Sequence, residues 1–131
     1  MGLNPSLCAS MLGVKSQTFR YWRCHLHPCG EQKKFSSSEL FTFRVFLFLI
    51  RRRGMSVQQL AEQQLQIWFG TFAENEMKYF STKCIEVNVL DNDFLIKDKN
   101  TATDTYNLDL FHLDLRHVVQ EHYDAFDNLG R

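Results

Sequence analysis

A glycine between two short helical segments constrains this chain more than any other feature: Leu12-Gly13-Val14-Lys15-Ser16-Gln17-Thr18-Phe19-Arg20-Tyr21-Trp22-Arg23 reads as the turn and second helix of a helix-turn-helix. Such a unit needs a small residue on its first helix, a turn that relieves backbone crowding and an apolar anchor on its second helix. Ala9, Gly13 with Val14, and Phe19 fill those places. If Val14 and Phe19 face inward, Lys15, Ser16, Gln17, Arg20 and Arg23 face outward, where phosphates and base edges could meet them.

The charge distribution agrees with a polyanion partner. The 131 residues have no net charge, but through Met55 nine basic residues face only Glu31 and Glu39, a net +7, and from Ser56 onward the balance is −7. A basic head on an acidic body suits contact with nucleic acid through one face. The longest apolar run, Phe41 to Ile50, is interrupted by Arg44 and falls short of the ~20 residues of a bilayer span, so no membrane crossing is expected. Met-Gly-Leu-Asn-Pro at the amino end has no secretory pattern, which leads us to expect a cytoplasmic, nucleoid-associated protein with free thiols at its four cysteines.

Periodicity and capping residues predict the elements. Asn4-Pro5-Ser6 starts a first helix that runs to about Leu12, and Ser16 is expected to cap the second, which runs to about Cys24. Cys29 to Phe35 forms a lysine-bearing loop or hairpin, and Ser36 with Glu39 makes a capping box at which a third helix starts, its body running from Leu40 to Arg53. Ser56 caps a fourth helix along Val57, Leu60, Ala61, Leu65 and Trp68, and Gly70 is expected to bend or break it. The period then changes to two: Ile85, Val87 and Val89, a turn at Asp91-Asn92-Asp93, and Phe94 and Ile96 make a hairpin. Tyr106, Leu108 and Leu110 suggest a third strand, and Asp114 caps a last helix with Leu115, Val118, Val119, His122, Tyr123 and Phe126 on one face. The expected fold is mainly α with a small β component: a winged helix-turn-helix head over residues 1–60, followed by an α+β body over 61–131 for dimerisation or partner binding.

The order of the pieces resembles the DNA-binding domain of the MerR family of bacterial regulators across about residues 5–65. The resemblance rests on Ala9 with Leu12-Gly13-Val14, on Thr18-Phe19-Arg20-Tyr21-Trp22, and on Leu26 with Pro28. It continues through Phe35-Ser36 before Glu39-Leu40 and Gly54-Met55-Ser56-Val57 with Leu60. It implies that the second helix enters the major groove through Ser16, Gln17, Thr18, Arg20 and Tyr21, that Lys33 and Lys34 lie on a wing over the phosphates, and that a homodimer binds an inverted repeat. The family's usual first strand, the common Tyr-Arg pair of its wing and its long dimerisation helix are not evident here. Phage excisionases share the same winged head, so the origin could be bacterial or phage and a recombination accessory role stays open beside transcription regulation.

Other groups carry weaker signals. Arg51, Arg52 and Arg53 read equally as helix-end charge or as phosphate contacts, and Arg52 is taken as a DNA-binding candidate. Trp22 reads as core or as an interface anchor. Trp68, Phe69, Phe72, Phe80 and Phe126 look like an aromatic surface in need of a second copy or a protein partner, which leaves an interaction adaptor as a further alternative. Cys24-His25-Leu26-His27-Pro28-Cys29 is rich in ligand types, but so short a segment cannot readily surround one ion. His112, His117 and His122 recur every five residues, about 140° apart on a helix, and share no face. With no phosphate-cradling glycine loop and no nucleophile elbow, neither an enzyme, a metal nor a cofactor is expected.

Overall fold

The computed structural model describes residues 2–30, 32–99 and 109–129. It is mainly helical, with six α-helices and one three-stranded antiparallel sheet among those residues.

Helix α1 spans Pro5–Leu12 and begins as its sequence dictates: Asn4 Oδ1 accepts the Leu7 N–H at 2.8 Å, and Pro5 occupies the first turn, where a missing donor costs nothing. Gly13 ends it at φ 71°, a left-handed conformation that disfavours residues with a Cβ. The Val14 N–H then returns to the Ala9 carbonyl at 3.0 Å, setting the turn into α2, Ser16–His25. Here the expected cap differs. Lys15 holds the N-cap position, no side chain caps the helix, and Ser16 is already its first residue.

Helix α3, Ser37–Arg53, starts at the capping box of Ser36 and Glu39 and ends at Gly54 with φ 77°. Every residue from Leu40 to Leu49 is buried, so this is the central helix rather than an amphipathic one. It meets α1, the last two helices and the sheet. Arg44 lies within that apolar stretch, where Nη2 donates to the Met11 carbonyl at 2.9 Å and Nη1 stands 3.8 Å from Glu121. One guanidinium thus ties the end of α1 and the last helix to the central one.

A short helix α4, Val57–Ala61, carries a second capping box, Ser56 with Gln59. The expected break at Gly70 falls instead at residues 62–64, and Gly70 sits inside α5, Leu65–Glu74. A glycine there costs about 1 kcal/mol against alanine, whereas burying one large side chain returns about 1.5–3 kcal/mol. Helix α5 buries three, which outweighs its glycine. Trp68, Phe69 and Phe72 are 0%, 8% and 1% exposed, and Phe80, on the 3₁₀ helix Met77–Thr82, is 0% exposed. This corrects the expected partner surface: Trp68, Phe69, Phe72 and Phe80 pack inside the monomer, against Phe41, Phe43 and Phe46 of α3. Phe126 is half-buried against His122, with ring centroids 4.9 Å apart.

The hairpin forms as expected from β1, Lys83–Asn88, and β2, Asp93–Asp98, with Asn88 opposite Asp93 and Asn92 at φ 52° in the turn. Strand β3, Leu110–Asp114, pairs with the other side of β1, giving the order β2-β1-β3. Of the residues expected in this strand, Tyr106 and Leu108 lie outside the described residues. The phase is also shifted, because Phe111 and Leu113 stand opposite the buried Val87 and Ile85, and a pleated strand turns its odd positions inward if those face the core. Asp114 Oδ1 accepts the Arg116 N–H at 2.9 Å and starts α6, Leu115–Leu129, which buries Leu115, Val118, Val119 and His122.

The expected boundary at 60/61 falls inside α4, before its last residue, and a continuous hydrophobic core crosses it from Ala9 and Phe19 through α3 to Trp68, Ile85 and Val118.

Candidate nucleic-acid interface

The outward face of α2 is built by what its inner face holds. Phe19 packs edge-on against Phe35 and Phe43 at 5.4 and 5.1 Å, and Trp22 is buried beside it. Helical geometry then leaves Ser16, Gln17, Arg20 and Tyr21 exposed, with Lys15 at the entry and Thr18 half-buried. Tyr21 is 52% exposed, its ring 4.3 Å from that of His25.

Arg23 departs from the expected outward orientation. It is half-buried, Nη1 donates to the Gln32 carbonyl at 3.4 Å, and Nε is buried without a partner among the described residues. Its neighbours α2 and the 27–36 segment explain this: the side chain runs along that segment instead of into solvent.

Glu39 organises the 27–36 segment. Its carboxylate accepts the Ser36 N–H at 2.9 Å, the Gln32 side-chain amide at 3.0 Å and His27 Nε2 at 2.5 Å. His27 Nδ1 accepts the Cys29 N–H at 3.1 Å, so the ring proton belongs on Nε2, pointing at Glu39. Burial alone raises the Glu39 pKa, but the hydrogen bonds from Ser36, His27 and Gln32 outweigh it and hold the carboxyl below its ordinary value. Phe35, Phe43 and Phe69 surround the His27 ring. Lys33 and Lys34 stand exposed on this segment. Of the loop or hairpin expected over Cys29 to Phe35, the described residues form a loop. Its one backbone pairing outside helices and turns is a bridge to the amino end, Leu3 N–H to Phe35 O and Phe35 N–H to Leu3 O, each at 2.8 Å.

A groove of about 530 Å³ separates the start of α2 from the end of α3, and Lys15, Thr18, Trp22 and Arg51 line it with Val14, Ile50 and Val57. Arg51 therefore shares a surface with α2. Arg52 lays its guanidinium 4.5 Å over the Phe48 ring, and both it and Arg51 line a smaller hollow with Glu121. Among the described residues, Lys15, Arg20, Lys33, Lys34, Arg51, Arg52 and Arg53 have no carboxylate partner, whereas Lys83, Lys97 and Lys99 pair with Asp98, Glu86 and Asp114. Cationic side chains without carboxylate partners are available to phosphate at no cost of breaking an ion pair.

The sequence by itself does not mark Arg51, Glu39 or Gln32 as site residues. Arg51 had a signal in the arginine run, but nothing in spacing alone says which of three consecutive arginines turns toward α2. The capping role of Glu39 accounts for it locally and gives no sign of its bonds to His27 and Gln32. Cys24 and Cys29 are exposed thiols, and among the described residues no three His, Cys, Asp or Glu side chains gather as a metal site. No helix among them is long and apolar enough to cross a membrane. Comparison with family models, with curated proteins and with solved structures returns no match.

Proposed function

We propose that this chain binds duplex DNA through the exposed face of α2, as a transcription regulator acting as a homodimer on an inverted repeat. One observation carries the reading: Gln17, Arg20 and Tyr21 stand on the solvent side of a helix whose other side is locked into the core, beside Lys15 and Arg51, cations with no carboxylate partner among the described residues. An arginine on such a face makes a bidentate contact to guanine, and a glutamine does the same to adenine. Lys33, Lys34 and Arg51 suit phosphate, fixing position rather than sequence. Two such helices about 34 Å apart on a dimer would occupy successive major grooves, and bound protein would block or redirect polymerase. With the aromatic set buried, the surface left for dimer contact includes the edge strand β2, where Leu95 is 59% exposed.

Titration of an isotope-labelled sample with duplex oligonucleotide in dilute buffer tests this. The amide resonances of Ser16 through Arg23 should move, and resonances of α6 should not. Unmoved α2 amides would overturn the proposal. Selecting bound fragments from random DNA then reads the site symmetry: an inverted repeat fits the dimeric regulator, and a direct repeat fits a recombination accessory instead.

A further inference from the structure

In the order β2-β1-β3, strand β2 has β1 as its one strand neighbour among the described residues. The way its backbone points follows from the other side of β1. The Val89 N–H donates to the Asp109 carbonyl at 2.9 Å, one step beyond the Asn88–Leu110 pair, so Val89 turns its backbone polar groups toward β3. In an antiparallel ladder these groups alternate sides from residue to residue, which turns those of Asn88, Glu86 and Cys84 toward β2. Their partners there, Asp93, Leu95 and Lys97, are bonded to β1. Phe94 and Ile96 therefore direct their N–H and C=O groups out of the open edge.

The side chains alternate as well. Phe94 and Ile96 stand opposite the buried Val87 and Ile85, and the Phe94 ring lies 4.2 Å from that of Trp68 in the core. Asp93, Leu95 and Lys97 share the opposite face, where Lys97 pairs with Glu86 and Leu95 is exposed. An edge that combines outward backbone groups with an exposed leucine is a template for another strand.

We propose that β2 pairs with β2 of a second copy about a two-fold axis at Leu95, joining the two sheets into one. The strand is self-complementary about that residue. Laid antiparallel with Leu95 opposite its counterpart, it sets Phe94 against the partner's Ile96 and Asp93 against the partner's Lys97, and symmetry repeats both pairs. The Phe94–Ile96 pairs fall at hydrogen-bonded positions, supplied by the outward backbone groups. The Leu95 pair and both Asp93–Lys97 pairs fall at the other positions, where Cα atoms approach to about 4.5 Å and side chains interact most. An axis at Phe94 or Ile96 would instead oppose Leu95 to the partner's Asp93 or Lys97, matching an apolar side chain with a charge. Asp93 is exposed and has no cationic partner among the described residues, so it meets the partner's lysine without breaking an ion pair of its own. This pairing would supply the homodimer of the proposed function, and it rests on that reading only for the use made of the dimer.

Sedimentation equilibrium of the full chain without DNA, over a concentration series, should show a monomer–dimer equilibrium that stops at the dimer. As the dimer fills, hydrogen exchange at the Phe94 and Ile96 amides should slow. Leu95→Lys and Leu95→Glu change an exposed side chain, so each should fold, as circular dichroism checks, and each places like charges across the axis. Either should raise the dimer dissociation constant at least about tenfold, and an equimolar mixture of the two should associate again because opposite charges then meet. A chain that stays monomeric, unchanged exchange at Phe94 and Ile96, a dimer that neither substitution weakens, or a mixture that associates no better than its components would overturn the pairing. Duplex DNA should still move the Ser16 to Arg23 amides of Leu95→Lys; those shifts test DNA binding in a chain that does not dimerise, so either proposal can fail alone.

Discussion

Arg20 and the loop lysines should fail in different ways when removed. Arg20 is exposed on the α2 face with no carboxylate partner among the described residues, so Arg20→Ala should leave the fold intact and cost about 1–3 kcal/mol of discrimination between the selected site and one altered at a single base pair. Lys33→Ala and Lys34→Ala should weaken binding to every duplex alike and each lower the salt dependence by about one unit. Binding isotherms on matched and mismatched duplexes at several salt concentrations separate the two. Equal loss on both duplexes for Arg20→Ala would make it a phosphate contact. A different residue sets the pH dependence of stability. Burial first, then the nearby Arg44 charge, holds the His122 pKa down from 6.5 to about 4, and its ring meets Ser37 Oγ at 3.0 Å and the Phe41 and Phe126 rings. The folded protein therefore keeps the ring neutral where the unfolded chain would protonate it. Its stabilising contribution is complete above about 6.5 and falls as the pH drops toward 4, amounting to about 3 kcal/mol across that window. Urea unfolding at pH 7, 5.5 and 4.5 should show this slope, and His122→Gln should flatten it.

Secondary structure was readable wherever a cap or a turn residue fixed it locally. Asn4 with Pro5, Ser36 with Glu39, Ser56 with Gln59, Gly13, Gly54 and the Asp91-Asn92-Asp93 turn all act within a few residues, and the structure starts or ends elements at each. Features set by distant packing were not readable in the same way. The aromatic residues of α5 look exposed in a helical projection because their partners, Phe41, Phe43 and Phe46, lie more than twenty residues away in sequence. The phase of β3 depends on which residue of β1 it meets, a register that no local pattern states. The orientation of Arg23 follows from where Gln32 lies. Gly70 is the sharpest case, since glycine signals a break yet sits within α5, and a Cβ built there meets nothing within 4 Å. Gly70→Ala should therefore stabilise the protein by about 0.5–1 kcal/mol, through the entropy of the unfolded chain, as read by the urea midpoint. Gly13→Ala should do the opposite, because φ there is 71°. Destabilisation by Gly70→Ala would mean that α5 bends in solution at the position its sequence suggests.

At the scale of the whole molecule, the basic and acidic halves are distinct in charge and continuous in packing. Helix α3 belongs to the basic half by sequence, but α5, α6 and β3 cover much of it, and Arg44 reaches both Met11 in α1 and Glu121 in α6. A head cut at residue 60 would expose Phe41, Phe43 and Phe46, each 0% exposed in the intact chain, and would leave Arg44 without Glu121. Burial of such side chains supplies about 1.5–3 kcal/mol apiece, a large fraction of the 5–15 kcal/mol that holds a domain folded. We therefore expect residues 1–60 alone to be unfolded and the intact chain to unfold in one cooperative step. The two tryptophans make the test direct, since Trp22 lies in α2 and Trp68 in α5, both buried. In Trp22→Phe and Trp68→Phe variants, the fluorescence of the remaining tryptophan should trace the same urea transition as far-ultraviolet circular dichroism of that variant. A Trp22 signal that changes well before the helical signal would show the amino-terminal head opening separately from the body. In that case the exposed face of α2 would be presented by a mobile unit, and its affinity for DNA would carry the cost of ordering it.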